Sequence, residues 1–421
     1  LVMLRLNYTV NSNVGGPAAM ERRFRFHTGF VTITIAIILV VAVPLTFSTQ
    51  KMGRETALLS ARNIFAEVSR GVSGDINHFF NTVGDMMETV VNAPSIAAGN
   101  PGAELSDPRV NFMVSILKKY TNLSSLYIGY GNGDFLQIIS LDNVPKMRAA
   151  YKATPQTSII TRLIRSSQHG REQTWIHYDK SGAVVARIVQ PEVDFDPRTR
   201  PWYQEAMRAK NLVFTAPYMF SSSKTPGVTS AISLQSGTAV LGADITLDNI
   251  AAILGEYSVS PNSTIFLVDK LRHIVAHPKI ATAVEKEENG NFVLSFLDAA
   301  QSSDPLLHAV PAFLDALLAN NAVAISVDVA GNEYLAMTLD MGINIPSRLY
   351  VAIVAHVDDF TGYLKRVLEQ SLLFTVLVVI LGGGLALYLS GRMSQSLTQV
   401  SQDAQRVEHF DFSDGPAYDS H

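Results

Sequence analysis

Two uncharged apolar runs limit what this chain can become. Phe30 to Phe47 and Leu372 to Leu389 contain no Asp, Glu, Lys or Arg. About 18 apolar residues suffice to cross a bilayer, and within lipid a backbone satisfies its amides only as a helix or a closed barrel. The chain is therefore expected to thread a membrane twice, at 30–47 and at 370–390. Arg22, Arg23 and Arg25 precede the first run, which places residues 1–29 in the cytoplasm by the positive-inside rule. A cleaved signal peptide is the alternative, but no small-x-small cleavage site follows the run. Lys365 and Arg366 lie on the outer flank of the second run and speak against this orientation. The first helix is expected to decide, putting the region between the spans in the periplasm of a bacterial inner-membrane protein. Gly382, Gly383, Gly384 and Ala386 either let helices approach closely, as in a homodimer, or bend the second span.

Composition removes some function classes. A net charge of −4 over 421 residues gives no basic field for nucleic acid. Cysteine is absent, so neither disulfides nor thiolate chemistry is available, in periplasm or cytosol alike. No nucleophile–base–orienter group stands out, and no cofactor is expected. His273 and His277 share a strand face without a third metal ligand in view, so they read as surface or core histidines.

Between the spans the pattern is first helical. Leu58, Phe65, Val68, Val72, Ile76, Phe79, Val83, Met86 and Val90 recur at steps of three, four or seven, so 48–95 reads as one long signalling helix. Val110 to Thr121 reads as another helix. Strand pairs follow, turning at Asn132-Gly133, at Asp179 to Gly182 and at Ser236-Gly237. Gly129, Gly131 and Gly133 do not make a phosphate loop, because a strand and not a helix comes next. Residues 126–245 are thus expected to form one antiparallel sheet with helices on one face. The order then recurs: a helix from Leu247 to Tyr257, a hairpin turning at Asp269-Lys270, and a last strand pair turning at Pro346-Ser347. This predicts an α+β chain of two similar modules in tandem, 96–250 and 251–369. Past Arg392, the spacing of Met393, Leu397, Val400, Ala404 and Val407 is that of a coiled-coil seam, expected to continue into further protein beyond His421.

One stretch concentrates chemistry: Asp196-Pro197-Arg198-Thr199-Arg200-Pro201-Trp202-Tyr203. Its prolines fix φ and withhold their amides, which makes a stiff junction running into a helix. A guanidinium beside two aromatic rings suits a pocket for a small carboxylate or other polar metabolite. Arg200 either binds such a ligand or locks the loop on Asp194 or Asp196. Trp202 and Tyr203 are pocket walls or plain core. Asp244 binds ligand or caps the next helix, and Tyr127 is placed to line the same pocket from a neighbouring strand.

The whole pattern from Phe30 onward resembles a bacterial double-Cache sensor. Such a sensor has a membrane helix, a long helix, two tandem PAS-like modules, a second membrane helix and the start of a HAMP linker, here 391–421. Arg200-Pro201-Trp202-Tyr203 is the most specific part of the likeness. In amino-acid-binding members the arginine and tryptophan hold the ligand carboxylate and the following tyrosine shapes that pocket. A downstream tyrosine and a later aspartate hold the ammonium, which implies these roles for Tyr218 and Asp244. The family has a tyrosine where this chain has Phe195, which leaves an amino acid, an amine or an organic acid open as the ligand. Ser396 stands where the linker usually has proline. The resemblance implies a membrane receptor, and the 127–135 hairpin is similar to Cache regions of nucleotide cyclases and cyclic-di-nucleotide phosphodiesterases. A complete protein ending in a cyclase, such a phosphodiesterase or a histidine kinase fits the same pattern.

Overall fold

The computed structural model describes residues 17–97, 101–167, 170–288, 291–302, 304–308, 310–319, 323–329, 331–342, 346 and 348–408. The chain divides into two compact units, residues 58–360 and the residues on either side of them. The flanking unit is helical. Helix α1 (Pro17–Val91) begins there and runs unbroken into the larger unit, with Pro44 inside it. Helix α8 (Asp358–Glu408) leaves the larger unit in the same way. Both are long and apolar enough to cross a membrane. Gly382 faces Ile38 and Gly53 faces Leu364, while the Gln50 side-chain amide donates to the Leu364 carbonyl at 3.2 Å. At Gly382 the small-residue face of α8 is thus occupied by α1 of the same chain. The seam positions beyond Met393 lie on α8 outside the residues whose side chains are described.

The larger unit holds two antiparallel sheets. After α2 (Pro94–Ala97) and α3 (Pro108–Lys119), the first sheet comprises β1 (Ser125–Tyr130), β2 (Phe135–Ser140), β3 (Ile159–Ser167), β4 (Gly170–Tyr178) and β5 (Val184–Gln190). A short helix, α4 (Pro201–Ala209), precedes β6 (Val213–Phe214), β7 (Tyr218–Met219), β8 (Pro226–Ser233) and β9 (Ala239–Thr246). The strand order is β5-β4-β3-β2-β1-β9-β8-β6, with β7 on β8. Helix α5 (Leu247–Gly255) leads to β10 (Thr264–Asp269), β11 (His273–Ala276), β12 (Ala283–Glu288) and β13 (Asn291–Asp298). Helices α6 (Pro305–His308) and α7 (Val310–Ala319) precede β14 (Ile325–Val329), β15 (Asn332–Asp340) and β16 (Leu349–His356). The second order is β12-β13-β11-β10-β16-β15-β14. Both sheets therefore carry the same central order, one hairpin beside another: β2-β1-β9-β8 and β11-β10-β16-β15.

The expected hairpins are present. The turn at Asn132-Gly133 needs Gly133 at φ +91, a conformation open to glycine. Part of the last turn, at Pro346-Ser347, lies outside the described residues. Strands β3, β6, β7 and β12 to β14 have no counterpart in the sequence pattern. One expectation needs correction: the helices do not share one face of the first sheet. Leu126 and Ile128 join Phe80, Val83 and Met87 of α1 and Met113 and Leu117 of α3 in one core. Tyr127, between them, packs with Trp202 and Tyr203 of α4 on the opposite side. Alternation along the strand sends neighbours to opposite faces, so both faces are covered. In the second sheet the face away from α1 is filled by an apolar cluster: Phe266, Tyr334, Ala352 and Val354 against Leu307, Leu314 and Leu317.

Candidate functional site

Strand register brings the chemistry together. Across the first sheet, Ala231 lies opposite Gly242, Gly242 opposite Tyr127, Tyr127 opposite Gln137, Gln137 opposite Arg162, and Arg162 opposite Trp175. This row and its neighbour, Thr229–Asp244–Ser125, point toward α4, since positions two apart share a face. Above them the 3-10 turn Pro197–Thr199 and α4 place Arg200, Trp202 and Tyr203. Arg200 is the residue before α4 and its side chain makes no capping bond.

Two glycines of this region are spacers for rings. A Cβ at Gly242 would lie 2.2 Å from the Tyr127 ring, and one at Gly129 would lie 2.6 Å from Trp202. Tyr127 and Trp202 meet edge-on at 4.8 Å between centroids, and Phe135 meets Phe195 at 4.8 Å. Between these rings opens a cavity of about 270 Å³, counting its mouth. Tyr127, Phe135, Gln137, Arg162, Phe195, Arg200, Trp202, Tyr218, Phe220, Ser221, Ser222 and Asp244 line it.

The cavity has an acidic pole. Asp244 is buried and accepts hydrogen bonds from Tyr127 Oη at 2.6 Å, Thr229 Oγ1 at 2.7 Å and Ser125 Oγ at 3.0 Å. Tyr218 Oη lies 2.6 Å from Thr229 Oγ1. Burial outweighs these three hydrogen bonds and pushes the Asp244 carboxyl up to about 6. Burial, then the Asp244 charge, raises the Tyr127 and Tyr218 phenols, so both stay protonated donors. The capping role left open for Asp244 belongs instead to Thr246, whose hydroxyl accepts from the Asn249 amide.

The opposite pole is cationic. The Arg200 guanidinium stands 6.0 Å from the Tyr218 ring centroid. Among the described residues no carboxylate lies within ion-pair distance of it. Asp196 is held by Arg171 at 2.5 Å and Arg198 at 2.7 Å. Hydrogen bonds from Arg198 first, then from Arg171, hold its carboxyl far below the usual range. The loop is therefore locked by its neighbours, and Arg200 is left for the cavity.

Of the six residues assigned to the site by sequence, five line one cavity: Arg200, Trp202, Tyr218, Asp244 and Tyr127. Tyr203 stands behind the wall, its ring 5.6 Å from Trp202 and packed near Gly129. Sequence reasoning missed Arg162, because β3 was not recognised as a strand, and passed over Gln137, a polar residue within the recognised strand β2. His273 pairs with Asp269 at 3.0 Å, and His277 meets Thr264 Oγ1 at 2.9 Å while its Nδ1 accepts from the Lys279 and Ile280 amides. Burial, above all, lowers the His277 imidazole.

Residues 149–252 match a family described as "Methyl-accepting chemotaxis protein-like, first PDC sensor domain". The chain is 24% identical over 400 residues to "Adenylate cyclase 1" of Rhizobium meliloti, covering 90% of this chain and 56% of that protein. It is 26% identical over 221 residues to "Methyl-accepting chemotaxis protein McpB" of Bacillus subtilis, covering 52% of this chain and 30% of that one. The chain thus spans little more than half of the first relative and about a third of the second. Among solved structures, the ligand-binding domain of the Campylobacter jejuni chemoreceptor Tlp3, crystallised with 4-methylisoleucine, aligns with 16% identity and a TM-score of 0.43. That alignment covers 74% of this chain and 95% of the other. Residues 149–252 are thus similar to a chemoreceptor PDC sensor domain, in line with the resemblance drawn from the motifs.

Proposed function

We propose that this Cache-type sensor is a transmembrane receptor whose region between the two spans binds a small polar metabolite, an amino acid fitting best. The observation that carries this is the pairing of opposite poles in one aromatic cavity. Arg200 has no acid of its own among the described residues, and Asp244 has no base. A carboxylate on Arg200 and an ammonium on Asp244 would satisfy both, with the Trp202, Tyr127, Phe135 and Tyr218 rings as walls. Tyr203 supports Trp202 from behind. Residues 96–250 form the distal, ligand-binding module and 251–369 the proximal one, on the outer side of a bacterial inner membrane. Ligand binding would bias the arrangement of α1 and α8, in a homodimer, and so the HAMP-like helix after Arg392.

Isothermal titration of the 421-residue chain in detergent with amino acids, amines and organic acids tests the reading. Saturable binding that Arg200→Ala weakens at least tenfold is expected. Equal binding by that variant would sink the assignment of the site.

A second reading concerns output. The similarity to the Rhizobium meliloti cyclase covers 90% of this chain, which favours a complete protein in which this sensor regulates a nucleotide cyclase. Cyclic AMP made by membranes from cells expressing the complete reading frame decides between this and a chemotaxis output.

A further inference from the structure

The cavity holds a second cation that the amino-acid reading does not use. Arg162 is buried at 6% exposure on β3 and lines the same space as Arg200 and Asp244. Its guanidinium is flanked by Phe195 at 4.7 Å, Trp175 at 4.8 Å and Phe135 at 5.6 Å from the ring centroids. Rings cover the faces of the planar group, leaving its hydrogen-bonding edge for a partner. Nε donates to Gln173 Oε1 at 2.5 Å, but Nη1 has no hydrogen-bond partner among the described residues. No carboxylate stands within ion-pair distance of it among those residues. Beside it on β2, Gln137 has a buried Oε1 that also lacks a partner. An unpaired buried charge is costly, and a protein normally satisfies it with an acid or a ligand. Burial first, and the Arg200 charge, pull its value down only to about 10, so it remains a cation at neutral pH. With Asp244 ionised, Arg162 and Arg200 leave the cavity one positive charge in excess. A neutral amino acid does not offset that excess, whereas one with an acidic side chain does.

We propose that the cavity takes an acidic amino acid, of the aspartate or glutamate class, and that Arg162 receives its second carboxylate. This rests on the reading of the cavity as an amino-acid site. The α-carboxylate lies at Arg200, the ammonium at Asp244 with the hydroxyls of Tyr127 and Thr229 behind it, and the side-chain carboxylate at the free edge of Arg162. Phe195, where the family pattern has tyrosine, then serves as a ring stacked on Arg162.

The test compares near-isosteric pairs by calorimetry on the 421-residue chain in detergent: L-glutamate with L-glutamine, and L-aspartate with L-asparagine. The acid of at least one pair is expected to bind tenfold or more tightly than its amide. Arg162→Gln should abolish that preference by weakening binding of the acid more than that of its amide. Amides that bind as tightly as their acids in the wild-type protein overturn the proposal and leave the amino-acid reading intact. Wild-type protein that binds no amino acid overturns both. The wild-type comparison does not depend on the folding of any variant.

Discussion

At the scale of single residues, Asp244 gives the clearest pH dependence. Its folded-state value, about 6, stands above that of an unfolded aspartate. A raised carboxyl favours folding while it is protonated. This contribution to ligand-free stability is therefore present below roughly pH 4 and lost as pH rises through about 6. Asp244→Asn should flatten that part of the stability profile in thermal melts. An ammonium needs the ionised form. Affinity for an amino-acid ligand should therefore fall below about pH 6, by up to about tenfold per pH unit, with the raised Tyr127 and Tyr218 phenols protonated across that range. Calorimetry from pH 5 to pH 8 checks this, and a flat profile would remove Asp244 from the site. Arg200→Ala should weaken binding by about 1.5–3 kcal/mol, the usual worth of hydrogen bonds to a charged group. Gly242→Ala sets a methyl group 2.2 Å from the Tyr127 ring. It should lower the melting temperature and displace the ring that closes the acidic pole.

At the scale of elements, the loop before α4 is held by ion pairs made outside the cavity. Asp196 joins Arg171 of β4 to Arg198 and caps the turn at the Arg198 amide. Asp196→Ala removes both anchors. It should weaken ligand binding although Asp196 does not line the cavity, with faster amide exchange confined to 196–202. Unchanged exchange there would show that the two prolines alone hold the loop. The loop itself was legible, because Pro197 and Pro201 act locally on their own φ and amides. Strand β3 was not legible. Its sequence, Ile159-Ile160-Thr161-Arg162-Leu163-Ile164-Arg165, mixes buried arginine into the apolar alternation. A charge accepted into a core by ring stacking reads from sequence as a surface position. Arg162 escaped notice for that reason.

At the scale of the whole molecule, the two sheets share a central order but differ on the face away from α1. In the first that face carries Asp244, Arg162 and the cavity. In the second it carries Phe266, Tyr334 and Val354 under Leu314 and Leu317. One ligand per chain is therefore expected, and a calorimetric stoichiometry of two would overturn the reading of the second sheet as closed. The membrane topology can be probed directly because the chain has no cysteine. A single cysteine at Val184, 52% exposed on the outermost strand, should react with a membrane-impermeant maleimide in intact spheroplasts. Labelling only after lysis would reverse the threading.

The sequence by itself determined the two apolar helices, the long amphipathic helix, the hairpins and the stiff arginine–tryptophan loop. Each of these follows from hydropathy period, turn residues or proline, which act over a few neighbouring positions. The tertiary structure alone decided that Asp244 faces Tyr127 and not the next helix, that Tyr203 stands behind Trp202, and that Arg162 shares their cavity. Those placements depend on strand register, where a shift of one residue sends every side chain to the other face. Register is fixed by pairing strands far apart in the chain, Ser125 with Asp244 and Gln137 with Arg162, and no local pattern encodes it.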